Sequence, residues 1–362
     1  MTPEIQILRD PNQFRAIRNE WNDLVVDDPN RLAGHDALST YEWFEASIES
    51  FPEGMSARVV TARENGALVG LLPVIRKMDS GLERRLLVST ELHGGRNGLL
   101  LRRQDPELLG AMISNLSGEF PDWRMLQLTL LKGEADETTL ADCCRRYGYR
   151  SLGIGEQESP YFHIPTEHSA LMSSYAKDVR SRVRSGTKKL EASGSISFFV
   201  VRGPEDVEEF ISEMLAVETK SWKYTAGTSI ANRPQQERFY RALLPKAAAA
   251  GMLRAIVLHL NGEPIAHSFG LVRCNVFCGL KISVAQKMND LAPAHLLRHR
   301  QLHELIDLGI KTYDFMGRVE PHKLRWSNNN RSYLRRTHLL FNSSIAGRTY
   351  FEIKSLRQRL LS

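Results

Sequence analysis

The sequence lacks the marks of a secreted or membrane-spanning protein. Its four cysteines include no CxxC pair and two of them are adjacent, so we expect free thiols in a reducing cytoplasm. These cysteines are Cys143, Cys144, Cys274 and Cys278. No apolar run reaches the roughly 18 residues that a transmembrane helix needs. The polar N-terminus, MTPEIQILRD, has no apolar core of the kind found in secretory signals, so we expect a cytoplasmic protein.

Several catalytic motifs are also missing. The sequence has no P-loop, no nucleophile-elbow serine and no dinucleotide-binding GxGxxG. Hydrolase, kinase and dehydrogenase functions therefore have little support. What is present is an ordinary globular composition, with 42% hydrophobic and 25% charged residues over 362 positions, which is long enough for about two domains.

Positive charge is in moderate excess. Lysine and arginine number 48 against 42 aspartates and glutamates, which gives a net charge of +6 and a pI near 9.1. This balance favours anionic partners such as a coenzyme phosphate, a nucleotide-sugar, a phospholipid surface or tRNA, and it does not choose among them.

The chain contains an internal repeat. Residues 58–76 align with residues 254–272 at a constant offset of 196 (261 − 65), which places Asn65-Gly66 on Asn261-Gly262. An Asn-Gly pair between alternating apolar runs predicts a β-hairpin, because both turn residues take positive φ. We therefore predict two copies of one α/β unit, a first domain at 1–155 and a second at 160–335. A strand and an amphipathic helix at 336–362 are expected to form an extension.

The second copy continues into a strand, a turn and a helix within residues 253–327. Pro293 suits the first turn of a helix, an apolar stripe follows, and Gly309 predicts its end. Free amides at such a helix start can bind a pyrophosphate, although a plain amphipathic helix has the same pattern. His295, His299 and His303 share one face of this helix, but HExxH is absent and we expect no metal.

Two other segments are basic. In residues 175–193, Arg180, Arg184 and Lys188 share one helix face, which predicts either a wall for a phosphate-bearing acceptor or a solvated surface. The tail at 345–361 is amphipathic and basic, so it would either lie on a membrane surface or pack on the body of the protein.

Several of these stretches resemble a known family. The chain is similar to the GNAT superfamily of N-acyltransferases, and more closely to the tandem CelD-like/FemAB-like acetyltransferases of bacterial envelope and polysaccharide gene clusters. The likeness covers roughly residues 5–330. It rests on the segment 14–24 with Trp21, STYEW at 39–43, YAKDVRSRVRSGTKKLEASG at 175–194, ETKSWK at 218–223, FY at 239–240, GEPIA at 262–266, LAPAHLL at 291–297, YDFMG at 313–317 and HKLRW at 322–326.

The resemblance implies an α/β fold of two tandem GNAT-like domains, each a twisted mixed sheet flanked by helices. The second domain would carry the acyl-donor site, and the first would be structural or lie on the acceptor side. The co-substrate would be acetyl-CoA or another acyl-CoA. Residues expected to bind it are Ser283, Val284, Leu291, Ala292, Pro293, Ala294, His295 and Leu296.

The chemistry needs a base for the acceptor amine and a donor for the carbonyl oxygen, which a backbone N–H near Val284 would supply. Our catalytic candidates are Lys323, Glu218, Asp314 and His267. Asp314 could instead pair with Lys323 and have a structural role. Expected substrate-binding residues are Arg180, Arg184, Lys188, Trp222, Lys223 and Trp326.

Three functions are consistent with this pattern. The first is an acyltransferase that moves an acyl group, acetyl or a longer one, from acyl-CoA to an amine of a small molecule, an amino sugar or a nucleotide-sugar. The second is a FemAB-like transferase that depends on aminoacyl-tRNA. The third is a non-catalytic binding protein on a tandem GNAT fold. We expect a monomer or homodimer that does not bind DNA, with peripheral membrane contact as a possible addition.

Overall fold

A computed structural model describes residues 3–25, 37–50, 55–77, 85–88, 98–326 and 331–361. The chain divides into two compact units. The first unit is Met1–Gln157 with Tyr333–Ser362, and the second unit is Glu158–Ser332. The sequence instead predicted a second domain that ends at 335 and a separate extension at 336–362. The C-terminal strand and helix therefore belong to the first unit, because the strand completes that unit's sheet.

The described residues form thirteen strands and thirteen α-helices. In chain order the strands are β1 (Glu4–Leu8), β2 (Ser56–Glu64), β3 (Ala67–Lys77), β4 (Arg85–Val88), β5 (Leu100–Leu101), β6 (Met125–Leu131), β7 (Arg150–His163), β8 (Ile196–Val200), β9 (Leu253–Leu260), β10 (Glu263–Arg273), β11 (Val276–Val284), β12 (Thr312–Asp314) and β13 (Ser332–Phe341). The helices are α1 (Pro11–Ala16), α2 (Arg18–Leu24), α3 (Tyr41–Glu49), α4 (Pro106–Glu119), α5 (Ala135–Tyr147), α6 (His168–Ser174), α7 (Lys177–Ser193), α8 (Val207–Thr219), α9 (Trp222–Thr225), α10 (Pro234–Ala249), α11 (Pro293–Asp307), α12 (Pro321–Leu324) and α13 (Ile345–Leu361). No helix in the described ranges is long and apolar enough to cross a membrane.

The first unit is built on a mixed sheet with strand order β1-β2-β3-β4-β6-β13, and β5 pairs with β3. The β4–β6 pair is parallel, and the pairs β1–β2, β2–β3, β3–β4, β3–β5 and β6–β13 are antiparallel. Helices α4 and α5 cover one face and bury an apolar core that includes Val60, Leu72, Met112 and Leu128. Each such side chain contributes about 1.5–3 kcal/mol when it leaves water.

The second unit repeats this plan with strand order β7-β12-β11-β10-β9-β8. The β11–β12 pair is parallel, and the neighbouring pairs are antiparallel. Helices cover both faces: Phe210 of α8 and Tyr240 of α10 contact Phe269 of β10, whereas Leu296 of α11 packs with Ala266 of the same strand. The predicted α/β class, with mixed sheets flanked by helices, is confirmed.

Both predicted hairpins are confirmed. The β2–β3 turn has φ values of 50° at Asn65 and 81° at Gly66, and the β9–β10 turn has 52° at Asn261 and 81° at Gly262. These left-handed conformations are the reason that Asn-Gly is favoured in two-residue hairpin turns.

The two hairpins also share a bulge. Val69 has no partner in the β2–β3 register, and Ile265 has none in the β9–β10 register. The two extra residues are again 196 positions apart (265 − 69). A β-bulge changes which side chains point to each side of a sheet. Because both copies have the bulge at the same place, equivalent side chains after it point to equivalent sides of the two sheets.

The C-terminal helix α13 packs on the first unit. Tyr350 and Phe351 contact a small apolar cluster formed by Met125, Leu339 and Phe341. The other side of the helix exposes the apolar residues Ile345, Ile353, Leu356 and Leu360. The predicted packing on the body of the protein is therefore seen for the side of the helix that carries Tyr350 and Phe351.

Candidate functional site

A cavity of about 530 Å³ lies within the second unit. Its walls are the C-terminal half of β11, helix α9, the first turns of α11, and residues of β12 and of the segment up to Trp326. Cationic side chains and aromatic rings dominate this lining. Such a concave site with a few convergent polar groups is the usual form of a small-molecule binding site.

The wall formed by β11 is irregular. Phe269 of β10 pairs with Lys281, and Gly270 pairs with Gly279, so Leu280 is an extra residue in β11. A bulge re-aims the side chains around it. Six consecutive residues from Gly279 to Val284 consequently line the cavity.

A chain of hydrogen bonds connects this wall to a buried carboxylate. Lys223 of α9 donates to the carbonyl of Ile282 at 2.5 Å and to the hydroxyl of Ser283 at 2.8 Å. Ser283 in turn donates a short hydrogen bond to Glu218 Oε1. Lys223 and Ser283 line the cavity, whereas Glu218 lies behind them with 1% of its surface exposed.

Glu218 is held in its charged form. The hydroxyl of Ser229 donates to its Oε2 at 2.5 Å, the amide of Ile230 donates at 3.1 Å, and His267 Nε2 lies 3.2 Å from Oε1. Burial alone would raise the pKa of Glu218, but the hydrogen bonds from His267, Ser229 and Ser283 outweigh it and hold the pKa below its usual range.

His267 is completely buried on β10. Burial lowers its pKa, although the neighbouring Glu218 opposes that change, so the imidazole is neutral near pH 7. Neither His267 nor Glu218 is among the described residues that line the cavity. The structure brings these two catalytic candidates together, and they reach the cavity through Ser283 and Lys223.

Lys281 is a cavity residue that the sequence analysis missed. Burial is the largest cause that lowers its pKa, with nearby Lys223 adding to it, and the pKa falls to about 8. A lysine with such a pKa is partly neutral near pH 8 and can accept a proton. The signal in the sequence was a single charged residue inside an otherwise apolar strand.

The candidates Lys323 and Asp314 meet at a strained turn. Met316 has a left-handed φ of 51°, and its amide donates to Asp314 Oδ1 at 2.8 Å. Lys323 Nζ donates to the carbonyl of Met316 at 2.8 Å and to that of Arg318 at 3.1 Å. Lys323 lines the cavity, and Asp314 is buried beside it in β12. Asp314 and Lys323 thus hold the turn around Met316, next to the cavity wall formed by β12.

The predicted donor-binding residues divide into two groups. Ser283, Val284, Ala294 and His295 line the cavity. Leu291, Ala292, Pro293 and Leu296 are not among its described lining residues, and Leu296 belongs to the core that includes Ala266. Helix α11 begins at Pro293 as predicted, without a side-chain cap, after a left-handed Ala292 with φ 52°.

The predicted substrate-binding residues also divide. Trp222, Lys223 and Trp326 line the cavity. Arg180, Arg184 and Lys188 of α7 are not among its described lining residues, and Arg180 donates to the carbonyls of Ser173 and Tyr175. Another α7 residue, Asp178, lies 3.7 Å from the cavity residue Arg325.

The helix-face histidines do not form a metal site within the described residues. His299 contacts His303 at 3.3 Å, and His303 contacts His168 at 2.6 Å. His295 stacks instead on Trp326, and burial lowers its pKa to about 4. Burial likewise lowers the pKa of His299 to about 4, so these rings are neutral at pH 7.

Arg298 is a second cavity residue that the sequence analysis missed. It lies in α11 four residues after Ala294, which also lines the cavity, and it is buried among the rings of Tyr313, Phe315 and Trp326. A cation at an inward position of an amphipathic helix was the available signal.

Comparisons with known proteins agree with this geometry. The family model of the acetyltransferase (GNAT) domain matches residues 177–324, which include nearly all of the cavity lining. No curated protein matches the sequence significantly.

Solved structures with the same fold extend the similarity to both units. FemX has a TM-score of 0.64 at 14% identity, covering 92% of this chain and 96% of its own. L-PGS from Bacillus licheniformis has a TM-score of 0.52 at 13% identity and 97% coverage of each chain. The tandem GNAT protein from the clavulanic acid biosynthesis pathway has a TM-score of 0.50 at 12% identity, covering 93% and 98%.

The predicted tandem GNAT-like fold is confirmed by these structures. The family match favours an enzyme over the alternative of a non-catalytic binding protein. Residues 177–324 match the acetyltransferase (GNAT) domain, which supports N-acyltransferase activity, and the whole chain has the tandem fold seen in FemX and in the tandem GNAT protein.

Proposed function

We propose that this protein transfers an acyl group, most simply acetyl, from acyl-CoA to the amine of an acceptor bound in the cavity of the second unit. The acceptor is a small molecule, an amino sugar or a nucleotide-sugar. The observation that carries the proposal is that a cation-rich cavity of about 530 Å³ is built almost wholly from the segment that matches the GNAT acetyltransferase domain.

The residues around the cavity fit an acyl-CoA. The uncapped first turn of α11 offers amides, and Lys223, Lys281 and Lys323 supply positive charge for phosphate groups. When bound, acyl-CoA supplies the thioester carbonyl that the acceptor amine attacks. The C–N bond forms as the C–S bond breaks, and the departing thiolate takes up a proton.

Lys281 is our candidate for the group that accepts the amine proton. Its pKa of about 8 leaves a useful neutral fraction in mildly alkaline solution. Lys323 is the candidate that stabilises developing negative charge at the cavity wall. Glu218, His267 and Asp314 touch no described cavity surface, so we assign them positioning roles through Ser283, Lys223 and the Met316 turn.

Titration calorimetry of the full chain with acetyl-CoA tests the proposal. Saturable binding is expected, and it should weaken in a Lys323→Met variant that keeps its thermal stability. Lys189→Met is a matched control, because this lysine is exposed on α7 and donates to the carbonyl of Asp290. Absence of heat at millimolar acetyl-CoA, with the fold intact, would refute the assignment of the donor.

A second candidate function keeps the fold and changes the donor. The FemX structure matches 92% of this chain, and α7 carries a run of basic side chains, which together favour a FemAB-like transferase that takes an aminoacyl group from tRNA. Strong tRNA binding that weakens steeply with salt would support it. Equal retention of tRNA and of an unrelated acidic polymer would argue against it.

The remaining partner assignments stay predictions. Helix α13 exposes an apolar stripe beside arginines, which keeps peripheral membrane contact as a prediction. Cytoplasmic location and a monomeric or homodimeric state likewise stay predictions.

A further inference from the structure

Arg298 is a buried cation that lacks an anionic partner among the described residues of its unit. Only 7% of its surface is exposed, and its guanidinium carbon lies 5.7, 5.2 and 5.1 Å from the ring centres of Tyr313, Phe315 and Trp326. Its Nε is buried and has no hydrogen-bond partner among the residues that the structure describes. Arg298 nevertheless forms part of the cavity lining.

Burying a cation in this way costs folding free energy unless an anion or a hydrogen-bond acceptor compensates its charge. A buried cation that is neither paired nor hydrogen-bonded loses its hydration, and aromatic rings return only part of that loss. Natural proteins seldom leave an arginine in that condition, because its five donors need acceptors. The missing acceptor is therefore expected to arrive with a ligand.

Three other cations of the cavity already have polar partners. Lys223 and Lys323 donate to backbone carbonyls, and Arg325 lies 3.7 Å from Asp178. Glu320 is the one acidic residue in the described lining, and it lies 3.4 Å from His322 and 3.8 Å from Lys323. Lys281 has no such partner among the described residues, but its pKa of about 8 lets it lose its proton, whereas a guanidinium stays charged. Arg298 is thus the permanently charged group of this cavity that most needs a negative charge from outside the chain.

We propose that Arg298 binds an anionic group of the acyl acceptor, a carboxylate or a phosphate, while the surrounding rings contact the acceptor's body. This inference rests on the proposed function. A guanidinium suits both anions, because its planar donors bind two oxygens at once. We assign the anion to the acceptor because Trp326, whose ring centre lies 5.1 Å from the guanidinium carbon and which lines the cavity, is one of the predicted substrate-binding residues.

The test uses simple anions in place of the unidentified acceptor. The full chain is titrated with succinate and, separately, with inorganic phosphate at constant ionic strength, without and with saturating CoA, and thermal unfolding is followed. Three variants are compared with the wild type: Arg298→Met, Arg298→Lys and the control Arg300→Met. Arg300 lies on the same helix, is about half exposed and is 3.6 Å from Glu304.

We expect the anion that matches the acceptor to raise the unfolding temperature of the wild type and of Arg300→Met. Arg298→Met should lose about tenfold or more in apparent affinity, since a charged hydrogen-bonded pair disappears. Arg298→Lys should retain a weakened response. A larger effect of succinate identifies a carboxylate site, and a larger effect of phosphate identifies a phosphate site.

A second readout separates ligand binding from a structural role. Without anion, Arg298→Met should unfold at the same temperature as the wild type or at a higher one, because an uncompensated charge is removed. A clear decrease would show that the arginine is structural and would overturn the proposal. An unchanged anion response in Arg298→Met would do the same.

The CoA arm distinguishes the two proposals. Loss of the anion response when CoA is bound would place the anion on the donor side and overturn the acceptor assignment. Failure of CoA to bind, with an Arg298-dependent anion response intact, would refute the proposed acyl donor and leave the anion site standing.

Discussion

The two units share a backbone plan and differ in the cavities that they contain. Beside the repeated hairpin, the first contains a cavity of only about 20 Å³, lined mainly by leucines around β3, β5 and α4, whereas the second encloses about 530 Å³ lined by cations and aromatic rings. A separate, more open cavity of about 310 Å³ in the first unit lies beside α1, α3 and the start of β2. Both are built on a bulged Asn-Gly hairpin and a parallel strand pair. The repeated backbone therefore sets where a cavity can form beside the hairpin, and the side chains and one added strand decide how large it becomes.

Equivalent positions make the difference concrete. Leu71 of the first hairpin corresponds to His267 of the second (267 − 71 = 196). The short strand β5 pairs with Gly70 and Leu71, and its leucines line the small cavity. In the second unit, β10 pairs with β9 and β11, and β11 itself forms the wall of the large cavity.

The largest expected effect is the loss of a buried carboxylate in the second unit. Glu218→Ala should lower the free energy of unfolding by about 3–5 kcal/mol, because Ser229, Ser283 and the amide of Ile230 lose their acceptor and Lys223 loses its counter-ion. Acetyl-CoA binding should fall with it. Urea unfolding and titration calorimetry measure the two effects.

Glu42 of the first unit provides the matched comparison. It is equally buried, but its ion-pair partner Arg18 is 45% exposed and can return to water. Glu42→Ala should therefore cost less, about 1–3 kcal/mol, and leave acetyl-CoA binding unchanged. Equal losses of binding in both variants would contradict the assignment of donor chemistry to the second unit.

An intermediate effect is expected from Lys281. Its pKa of about 8 in the folded protein, against 10.5 for the free side chain, means that the unfolded chain binds more protons between these values. Stability should therefore rise with pH from about 8 to 10.5, where the penalty for the buried cation disappears. Lys281→Met should be more stable than the wild type by about 2–3 kcal/mol at pH 7, and the difference should vanish near pH 10.5.

Urea unfolding of wild type and Lys281→Met across pH 6–11 tests this linkage. Lys189→Met serves as the exposed control and should show no pH-dependent difference. A constant difference between wild type and Lys281→Met over the whole range would mean that packing, and not charge, accounts for it.

The smallest effect concerns the two hairpin turns. Asn261→Ala should cost about 1 kcal/mol more than Asn65→Ala, because Asn261 Oδ1 also accepts a hydrogen bond from the amide of Ser195 at 2.9 Å. Both variants lose the residue that tolerates positive φ. Gly66→Ala and Gly262→Ala are paired controls with open space around both positions and the same φ, so they should cost equal amounts. Unequal controls would show that the turns differ in more than this hydrogen bond.

Local sequence signals predicted the two hairpins and the bounds of α11 well. The two Asn-Gly pairs, Pro293 at the start of α11 and Gly309 beyond its end depend on the backbone conformations of single residues, which a sequence displays directly. The return of the C-terminus to the first unit was missed, because the pairing of β13 with β6 joins residues about two hundred positions apart. Such non-local pairing leaves no local signature.

The site was predictable only in part. Ser283, Val284, Trp222, Lys223 and Lys323 were expected near the chemistry, and all of them line the cavity. Lys281 and Arg298 were missed because the facing of a strand or helix residue depends on register. The bulge at Leu280 sets the register of β11, and it has no sequence signal comparable to an Asn-Gly turn.

The shared bulges at Val69 and Ile265 limit how the two copies could be recombined. Removing either residue would shift the downstream half of the strand by one position and turn Leu71 or His267 toward the opposite layer of helices. Chimaeras that exchange β3 and β10 must therefore keep the bulge with the segment that follows it. An insertion or deletion of one residue at this point would change the chemistry that the strand presents, even though the length of the chain would hardly differ.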